Sequence, residues 1–279
     1  MRLRRAARLS ALAVAVALIL ALQPASPPRA ATPQAPTLAV SVQGRLPHDQ
    51  TAFTQGLILH QGEFVESTGL YNASTLRRVD PQTGRARHIT RLPGRLFAEG
   101  LALCPPSKGA PPRLALLTWR EGRILTFDAA TLRQLSQHPL RGEGWGLASD
   151  GARLILSDGT DGLRLLEPKD YRETGRVPVR DGETPVRELN ELEWVNGWLL
   201  ANVWNQDRIA VIRPPGVRDQ GQVAAWLDLA PLRRELRPGA DSANGIAFDP
   251  ASGTLYVTGK RWDKIFVLAL PPLLAQPPR

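Results

Sequence analysis

The stretch WGLASDGARLILSDGTDGLRLL, residues 145–166, contains three short apolar segments that begin at Leu147, Leu154 and Leu163. The sequences SDG and DGTDG separate them, and such residues favour tight turns between antiparallel strands. A further turn sequence, EPKD, leads towards a fourth segment. The stretch therefore predicts a small antiparallel sheet of four strands.

The start of this stretch belongs to a pattern that recurs along the chain, in which a distinctive residue is followed by glycine and an aliphatic residue. The lead residues are 44, 46, 45 and 54 positions apart, and no stretch shows a helical period. Repeats of this length that encode four strands are typical of propeller blades. We therefore predict an all-β fold, a five-bladed β-propeller with four-stranded antiparallel blades. Four copies are Gln55-Gly56-Leu57, Glu99-Gly100-Leu101, Trp145-Gly146-Leu147 and Asn244-Gly245-Ile246, and a fifth, Asn190-Glu191-Leu192, replaces the glycine.

The two ends of the repeat array predict how the ring closes. Two prolines follow soon after Leu268, so the last copy has no outer strand of its own. The segment Leu38–Leu46 is strand-like and precedes the first copy. We expect it to close the ring as the outer strand of the last blade. The propeller domain then spans residues 38–270, and residues 271–279 form a C-terminal tail.

The N-terminus has the pattern of an export signal. Its first 30 residues contain five arginines and no acid, so they carry five of the nine net positive charges. The apolar run 11–22 has 12 residues, whereas a membrane-spanning helix needs about 20. We predict a signal peptide over 1–30, a linker over 31–37 and an exported protein, periplasmic or secreted, with no stable membrane insertion after signal removal. An uncleaved membrane anchor is the alternative.

Composition excludes several classes of function. The remaining net charge of +4 is spread out without a Lys/Arg run, which argues against nucleic acid as a partner. Cys104 is the single cysteine, so no internal disulfide can form. The four histidines lack the spacing of zinc ligands. We expect no metal and no cofactor, and a monomer by default.

The lead residues of the five copies predict a site. Inner strands of a propeller line its axis, so equivalent positions at their starts converge on one mouth of the channel. Here these positions carry an amide, a carboxylate, an indole and two more amides on an otherwise regular frame, and this asymmetry indicates a site. The alternative is that the amides satisfy backbone groups of loops. The five are Gln55, Glu99, Trp145, Asn190 and Asn244.

A second layer of candidates follows the second strand of three copies. Trp119, Trp204 and Lys260 each precede the first apolar residue of the third strand by five positions. We expect them on loops at the same face, where the two indoles and Trp145 wall a pocket for a small substrate. The alternative is packing of tryptophan between blades, which we expect for the strand residues Trp194, Trp198 and Trp226.

At these positions the sequence resembles a known family, the plant and bacterial type of glutaminyl-peptide cyclotransferase. The resemblance runs from His48 to Leu268 and implies a five-bladed propeller, unrelated to the zinc-dependent animal enzymes. It also implies conversion of N-terminal glutamine to pyroglutamate with release of ammonia, and peptides or proteins with N-terminal glutamine as partners. The segments that carry it are FTQGL, FAEGL, GEGWGLASDG, LNELEW, ANVW, ANGIAFDP and VTGKRWDKIFVL.

The resemblance also assigns roles. Glu99, in FAEGL, matches the acid/base carboxylate of the family. The matching pocket residues are Gln55, Trp145, Asn190, Trp204 and Lys260, to which the layer above adds Trp119. The main departure is the insert CPPSKGAPPR, residues 104–113, in the first hairpin of blade two. We expect this loop, directly after the Glu99 strand, to restrict the access of long peptides.

The residues also suggest how the reaction proceeds. Glu99 can move a proton from the amine to the departing nitrogen, with tryptophans holding the folded side chain. Asn190, Gln55 or Lys260 can stabilise the carbonyl oxygen. An apolar enclosure would raise the pKa of Glu99 and Lys260 would lower it, and the sequence leaves the outcome open.

Two other functions remain open at this point. The first is a propeller that only binds a peptide or a cell-envelope ligand, because fold does not fix function. The second is a metal-dependent lactonase, which needs clustered acidic ligands at the channel. The available acids are Asp158, Asp161, Glu191 and Glu193.

Overall fold

A computed structural model of the chain describes residues 34–107 and 109–278. These residues belong to one compact unit, Pro33–Arg279. The predicted signal peptide and the start of the linker lie outside the described residues and stay predictions. Within the described ranges no helix is both long enough and apolar enough to cross a membrane.

The described residues form the five predicted sheets, each antiparallel and in consecutive strand order in its main part. Two N-terminal strands precede the first blade, β1 (Thr37–Ala39) and β2 (Val42–Pro47). Blade one consists of β3 (Thr54–His60), β4 (Glu63–Thr68), β5 (Thr75–Val79) and β6 (Ala86–Arg91). Blade two consists of β7 (Ala98–Leu103), β8 (Arg113–Thr118), β9 (Arg123–Asp128) and β10 (Gln134–Pro139). Blade three consists of β11 (Leu147–Ser149), β12 (Leu154–Leu156), β13 (Gly162–Leu166) and β14 (Glu173–Pro178).

The second half of the chain adds two blades and a few short elements. A small hairpin follows blade three, β15 (Arg180–Asp181) and β16 (Thr184–Pro185). Blade four contains β17 (Leu189–Val195), β18 (Trp198–Val203), β19 (Arg208–Ile212) and β20 (Val223–Asp228). Blade five contains β21 (Ala243–Asp249), β22 (Thr254–Gly259) and β23 (Lys264–Ala269). Among residues 34–107 and 109–278, the helices are the single turn α1 (Ala230–Arg233) and a 3-10 helix, Pro272–Ala275.

The inner strands contact one another in a closed circle, β3 to β7 to β11 to β17 to β21 and back to β3. Apolar side chains fill the spaces between neighbouring sheets, as Leu163 and Leu199 do between blades three and four. The five-bladed fold predicted from the repeat is therefore confirmed.

Ring closure is more elaborate than the sequence predicted. Strand β2 pairs antiparallel with β23 and supplies the outer strand of blade five, as expected. The residues before it do not belong to that strand. Instead, β1 pairs parallel with β20, so blade four has five strands and residues 38–46 do not form one continuous strand. The chain passes from blade four to blade five at Val40-Ser41, between β1 and β2. Ser41 already belongs to blade five, because its carbonyl oxygen accepts a hydrogen bond from Ala269 N at 2.9 Å.

A buried ionic cluster anchors the closing strand. His48, which directly follows β2, places Nε2 3.1 Å from Glu66 Oε1 and Nδ1 2.7 Å from the Trp262 carbonyl oxygen. Arg77 completes the cluster with an ion pair to Glu66 at 2.8 Å. Burial lowers the pKa of His48, but the Glu66 carboxylate holds it above its ordinary value. The cluster thus ties the closing strand to blades one and five.

The repeat glycines are explained by the close approach of the inner strands. A Cβ atom on Gly56 would lie 2.6 Å from Leu101 N, and one on Gly100 would lie 2.6 Å from Gly146 C. On Gly146 it would lie only 1.8 Å from the backbone oxygen of Asn190. The glycines therefore let each inner strand pack directly on the next.

Glu191 occupies the glycine position of the fourth copy and reaches across the axis instead. Its carboxylate accepts hydrogen bonds from Ile246 N (2.9 Å) and Leu57 N (3.3 Å), which belong to blades five and one. Burial raises the pKa of Glu191 well above its ordinary value, and the Glu193 charge adds to this effect. The glutamate therefore links three blades through backbone groups.

Gly146→Ala should destabilise the ring strongly, because the atom that its methyl group meets is backbone and cannot rotate away. We expect the free energy of unfolding to fall by about 3 kcal/mol, at the upper end for overpacking. Denaturant melts measure this. Gly44→Ala, whose Cβ would lie 3.5 Å from Val267, is the control and should change stability by less than about 0.5 kcal/mol. Equal effects of the two variants would contradict this explanation.

Candidate active site

A pocket of about 380 Å³ lies where the lead residues of the repeats meet. Seven of the eight residues predicted for the site line it, and Asn244 does not. The volume lies at the small end of the range for ligand pockets, which suits one side chain rather than a folded peptide. The seven are Gln55, Glu99, Trp119, Trp145, Asn190, Trp204 and Lys260.

Their positions in the blades explain why these residues meet. Gln55, Glu99 and Asn190 are each the second residue of an inner strand, and Trp145 comes two residues before β11. The second layer follows the second strand of its blade directly. Trp119 follows β8, Trp204 follows β18 and Lys260 follows β22. Both predicted layers therefore face one end of the channel.

Glu99 is held by a chain of amides. It is 5% exposed, and its Oε1 accepts a hydrogen bond from Gln55 Nε2 at 2.9 Å. Gln55 Oε1 in turn accepts from Asn244 Nδ2 at 2.8 Å, and the same nitrogen donates to the Thr54 carbonyl at 3.0 Å. Asn244 is fully buried beneath the pocket. Its predicted place in the pocket is therefore corrected: it fixes Gln55, which orients Glu99.

The surroundings of Glu99 at the base of the pocket shift the pKa of its carboxyl group. Burial raises the pKa of Glu99 well above its ordinary value; Lys260 opposes this rise, and Glu143 and Glu121 add to it. Burial also lowers the pKa of Lys260, against the charges of Glu99 and Asp241. The sequence left open whether burial or Lys260 has the larger effect on the pKa of Glu99, and in the structure the effect of burial is larger.

Aromatic rings form the walls. Trp145 and Trp204 meet edge to face, with ring centroids 5.9 Å apart. Phe97 packs against Trp119 at 5.4 Å and against Phe53 at 6.2 Å. The two phenylalanines also line the pocket and were missed, although each stands two residues before a lead residue in FTQGL and FAEGL. That shared spacing was the signal.

Glu143 is a further residue that the sequence did not identify. It lines the pocket and lies in the loop between blades two and three. Its Oε2 accepts hydrogen bonds from two of the wall indoles, Trp119 Nε1 at 2.8 Å and Trp145 Nε1 at 2.9 Å. Glu143 stands two residues before the lead residue Trp145, and Glu188 stands at the same distance before Asn190 in the fourth copy. This shared spacing was a signal that the sequence analysis did not use.

The insert in blade two lies away from the pocket. Residues 104–112 join the end of β7 to the start of β8, whereas Glu99 stands near the start of β7. Four residues of extended strand, about 13 Å, separate Glu99 from the end of β7. The expectation that this loop restricts access to the pocket is therefore wrong, because the loop turns at the opposite end of the blade.

The candidate acidic ligands of a metal site are separated in the structure. Glu191 binds two backbone N–H groups, and Glu193 Oε1 accepts from Phe248 N at 3.2 Å. Asp158 Oδ1 accepts from the Thr160 hydroxyl within its own loop. Among the residues that the structure describes, no group of three or more His, Cys, Asp or Glu side chains could hold a metal ion.

Comparisons with known proteins find similarity to a family model, to a curated enzyme and to a solved structure. The model of a family described as Glutamine cyclotransferase matches residues 13–270. A curated relative from Arabidopsis thaliana, a glutaminyl-peptide cyclotransferase, is 37% identical over 238 residues, 83% of this chain and 71% of that protein. A crystal structure of glutaminyl cyclase from Myxococcus xanthus is similar with a TM-score of 0.74 and 36% identity, covering 85% of this chain and 97% of that one.

Proposed function

Because the chain belongs to the glutamine cyclotransferase family, we propose that its pocket binds an N-terminal glutamine and closes it into pyroglutamate with release of ammonia. The observation that carries this proposal is the buried carboxylate of Glu99 at the base of a small aromatic pocket. The partners are peptides or proteins whose first residue is glutamine. The rest of the peptide extends outwards, because the pocket has room for little more than one residue.

The reaction needs a folded substrate. The free α-amine attacks the γ-amide carbon of the same residue, a C–N bond forms, and the carbonyl oxygen takes the negative charge. The bond to the amide nitrogen then breaks, the oxygen regains its double bond, and ammonia leaves. Tryptophan walls hold the side chain curled onto the amine, so the reacting atoms are close before reaction.

Glu99 carries the proton. It takes a proton from the attacking amine and gives it to the departing amide nitrogen, so the carboxyl group ends as it began. Burial raises the pKa of the Glu99 carboxyl, so its carboxylate is a stronger base than an ordinary exposed glutamate. It is therefore better suited to take the proton from the amine.

Asn190 and Lys260 are the groups placed to stabilise the oxygen. Asn190 lines the pocket, and its Nδ2 is the atom that can donate a hydrogen bond to this oxygen. Its Oδ1, which is buried without a hydrogen-bond partner among the described residues, is an acceptor and does not serve this role. Lys260 is 5% exposed and supplies positive charge in a site where water screens little. Lys260 and Glu99 both line the pocket and interact electrostatically, so the charge of Lys260 acts where the reaction takes place.

The two alternative functions fit the site less well. Burial of Glu99 disfavours its charged form, and the binding of a ligand alone does not explain why a carboxylate is buried at this position. A lactonase needs a cluster of acidic ligands, and the candidate carboxylates bind backbone groups instead. Cyclisation uses the features that both alternatives leave unexplained.

The protein should release ammonia from a glutaminyl dipeptide, with the product lighter by the mass of ammonia in a mass spectrum. The same dipeptide with an acetylated amine is the control and should release none, because its nitrogen cannot attack. A chelator should leave the rate unchanged. Absence of ammonia release from the unblocked dipeptide would refute the proposal, and a rate abolished by the chelator would favour a metal-dependent hydrolase.

A further inference from the structure

One carboxylate oxygen holds two walls of the pocket. Oε2 of Glu143 accepts from the indole nitrogens of Trp119, at 2.8 Å, and Trp145, at 2.9 Å. Trp119 follows the second strand of blade two, and Trp145 precedes the inner strand of blade three. The two indoles therefore come from different blades and share a single acceptor.

The other oxygen of Glu143 is fixed as well. Oε1 accepts from Arg120 Nε at 3.0 Å, and the Arg120 guanidinium stacks over the Trp119 ring at 3.8 Å from its centroid. Burial raises the pKa of Glu143, but bonds from Trp145, Arg120 and Trp119 hold it below its ordinary value. The carboxylate is therefore charged at neutral pH and is held from three directions.

The orientation of the two indoles decides the shape of the pocket. An indole has only two side-chain torsions, and an acceptor for its N–H selects one ring orientation among those that packing allows. Trp145 is further confined from behind, since a Cβ on Gly159 would lie 2.8 Å from its Cζ2. Trp119 has Phe97 on one side and Arg120 on the other. Glu143 accepts a hydrogen bond from each of these two indoles.

We propose that Glu143 is a positioning residue of the cyclisation: it sets the Trp119 and Trp145 indoles as walls that keep the glutamine side chain curled, and its charge acts on Glu99. This inference rests on the proposed function and adds a residue that does not touch the reacting atoms. It acts through the two tryptophans and through the field at Glu99.

The charges that face Glu99 determine in which direction Glu143 shifts the pKa of Glu99. Lys260 favours the ionised carboxylate, whereas Glu143 and Glu121 disfavour it, and Arg120 partly neutralises Glu143. Removal of the Glu143 charge therefore lowers the pKa of Glu99. In a bell-shaped profile of kcat/KM against pH, the acid limb reports this group and moves to lower pH. The substrate amine must also be neutral to attack, so it contributes to the same limb, but its pKa is equal for the parent and the variant, and the difference between the two profiles reports Glu99.

Two variants separate orientation from charge. Glu143→Ala removes the acceptor and the charge, and we expect kcat/KM on a glutaminyl dipeptide to fall about 10- to 100-fold, the cost of misplaced walls. Glu143→Gln keeps one oxygen that can accept both indole N–H groups but has no charge. It should retain most of the activity and move the acid limb to lower pH.

A matched control variant and a spectroscopic readout complete the test, and the second of these does not depend on turnover. Glu235→Ala removes a carboxylate of the same side-chain exposure, 36%, that also pairs with an arginine but lies away from the pocket, and it should leave kcat/KM unchanged. In a nitrogen–proton correlation spectrum of the indole groups, two of the seven tryptophan signals should shift in Glu143→Ala. The same two should stay near their original positions in Glu143→Gln.

The outcomes are distinct. If the parent protein releases no ammonia, the proposed function fails, while the indole spectrum still tests the orientation. If Glu143→Ala keeps the parent kcat/KM and the indole spectrum, the positioning role is refuted. If Glu143→Gln is as inactive as Glu143→Ala, orientation through the shared acceptor is refuted. If Glu143→Gln leaves the acid limb in place, the effect of its charge on Glu99 is refuted.

Discussion

Glu99→Gln should abolish most of the turnover of a glutaminyl peptide and leave the propeller intact. The amide has nearly the same shape and can still accept the hydrogen bond from Gln55, but it cannot take up and return a proton. Loss of a general acid–base group costs about 100- to 10,000-fold in kcat. Ammonia release, corrected for spontaneous cyclisation, measures the loss.

Glu99→Gln should lower the activity of the protein without lowering its stability. A carboxyl whose pKa is raised on folding costs the protein stability as the pH rises above its unfolded value, near 4.5. Glu99→Gln removes that cost, so its melting temperature at neutral pH should equal or exceed that of the parent protein. The gain should vanish when the pH falls below the unfolded pKa, where the parent carboxyl is neutral in both states.

Glu193→Gln is the matched control for this experiment. Glu193 is another glutamate on an inner strand whose pKa is raised well above its ordinary value by burial, and it does not line the pocket. The same substitution there should leave turnover near the parent rate. A Glu99→Gln variant with near-parent turnover would remove Glu99 from the mechanism. A Glu193→Gln variant as inactive as Glu99→Gln would show that the loss reflects the fold.

The fold was predictable because the repeat is encoded locally, whereas its closure was not. Each blade shows its strands and turns in about 45 consecutive residues, so counting copies gave the number of blades. The partner of β1 is strand β20, almost 190 residues later, and strand-like composition does not say which distant edge a segment joins. The sequence therefore predicted a closing strand but not its change of blade at Val40-Ser41.

The site was predictable to the extent that it follows the repeat. Equivalent starts of inner strands must converge, which brought Gln55, Glu99 and Asn190 together without any knowledge of side chains. Asn244 satisfied the same rule, yet its amide turns to Gln55 and the Thr54 carbonyl rather than to the pocket. A repeat position fixes where a Cα atom lies, but hydrogen-bond partners decide where the side chain points.

Glu143 and the pKa of Glu99 depend on features that no repeat encodes. Glu188 stands at the place of Glu143 in the fourth copy, but the hydrogen bonds from two indoles to Glu143 depend on the conformation of its own loop. The pKa of Glu99 is a balance of burial against the charge of Lys260, and such a balance requires coordinates. The sequence named Glu99 and Lys260 but missed Glu143, and the structure gave the sign of the effect of each charge on Glu99.

Lys260→Met should show how the positive charge acts in the pocket. The variant keeps most of the length of the side chain but removes the cation, so the carbonyl oxygen loses a stabilising charge, and we expect kcat to fall about 100- to 1,000-fold. Because Lys260 lowers the pKa of Glu99, its removal should raise that pKa further. The acid limb of the kcat/KM profile should then move to higher pH, opposite to the shift for Glu143→Gln.

This opposition makes the pair of variants more informative than either one alone. A general disturbance of the pocket would change rates in both but has no reason to move one limb up and the other down. Lys264→Met, four residues further along the same blade and bonded to Glu235 O and Asp263, controls for loss of a lysine and should change neither rate nor profile. An acid limb that stays in place or falls in Lys260→Met would mean that Lys260 does not act on Glu99. An unchanged kcat would mean that the developing negative charge on the oxygen is stabilised elsewhere, with the Asn190 side chain, which lines the pocket and can donate through Nδ2, as the next group to test.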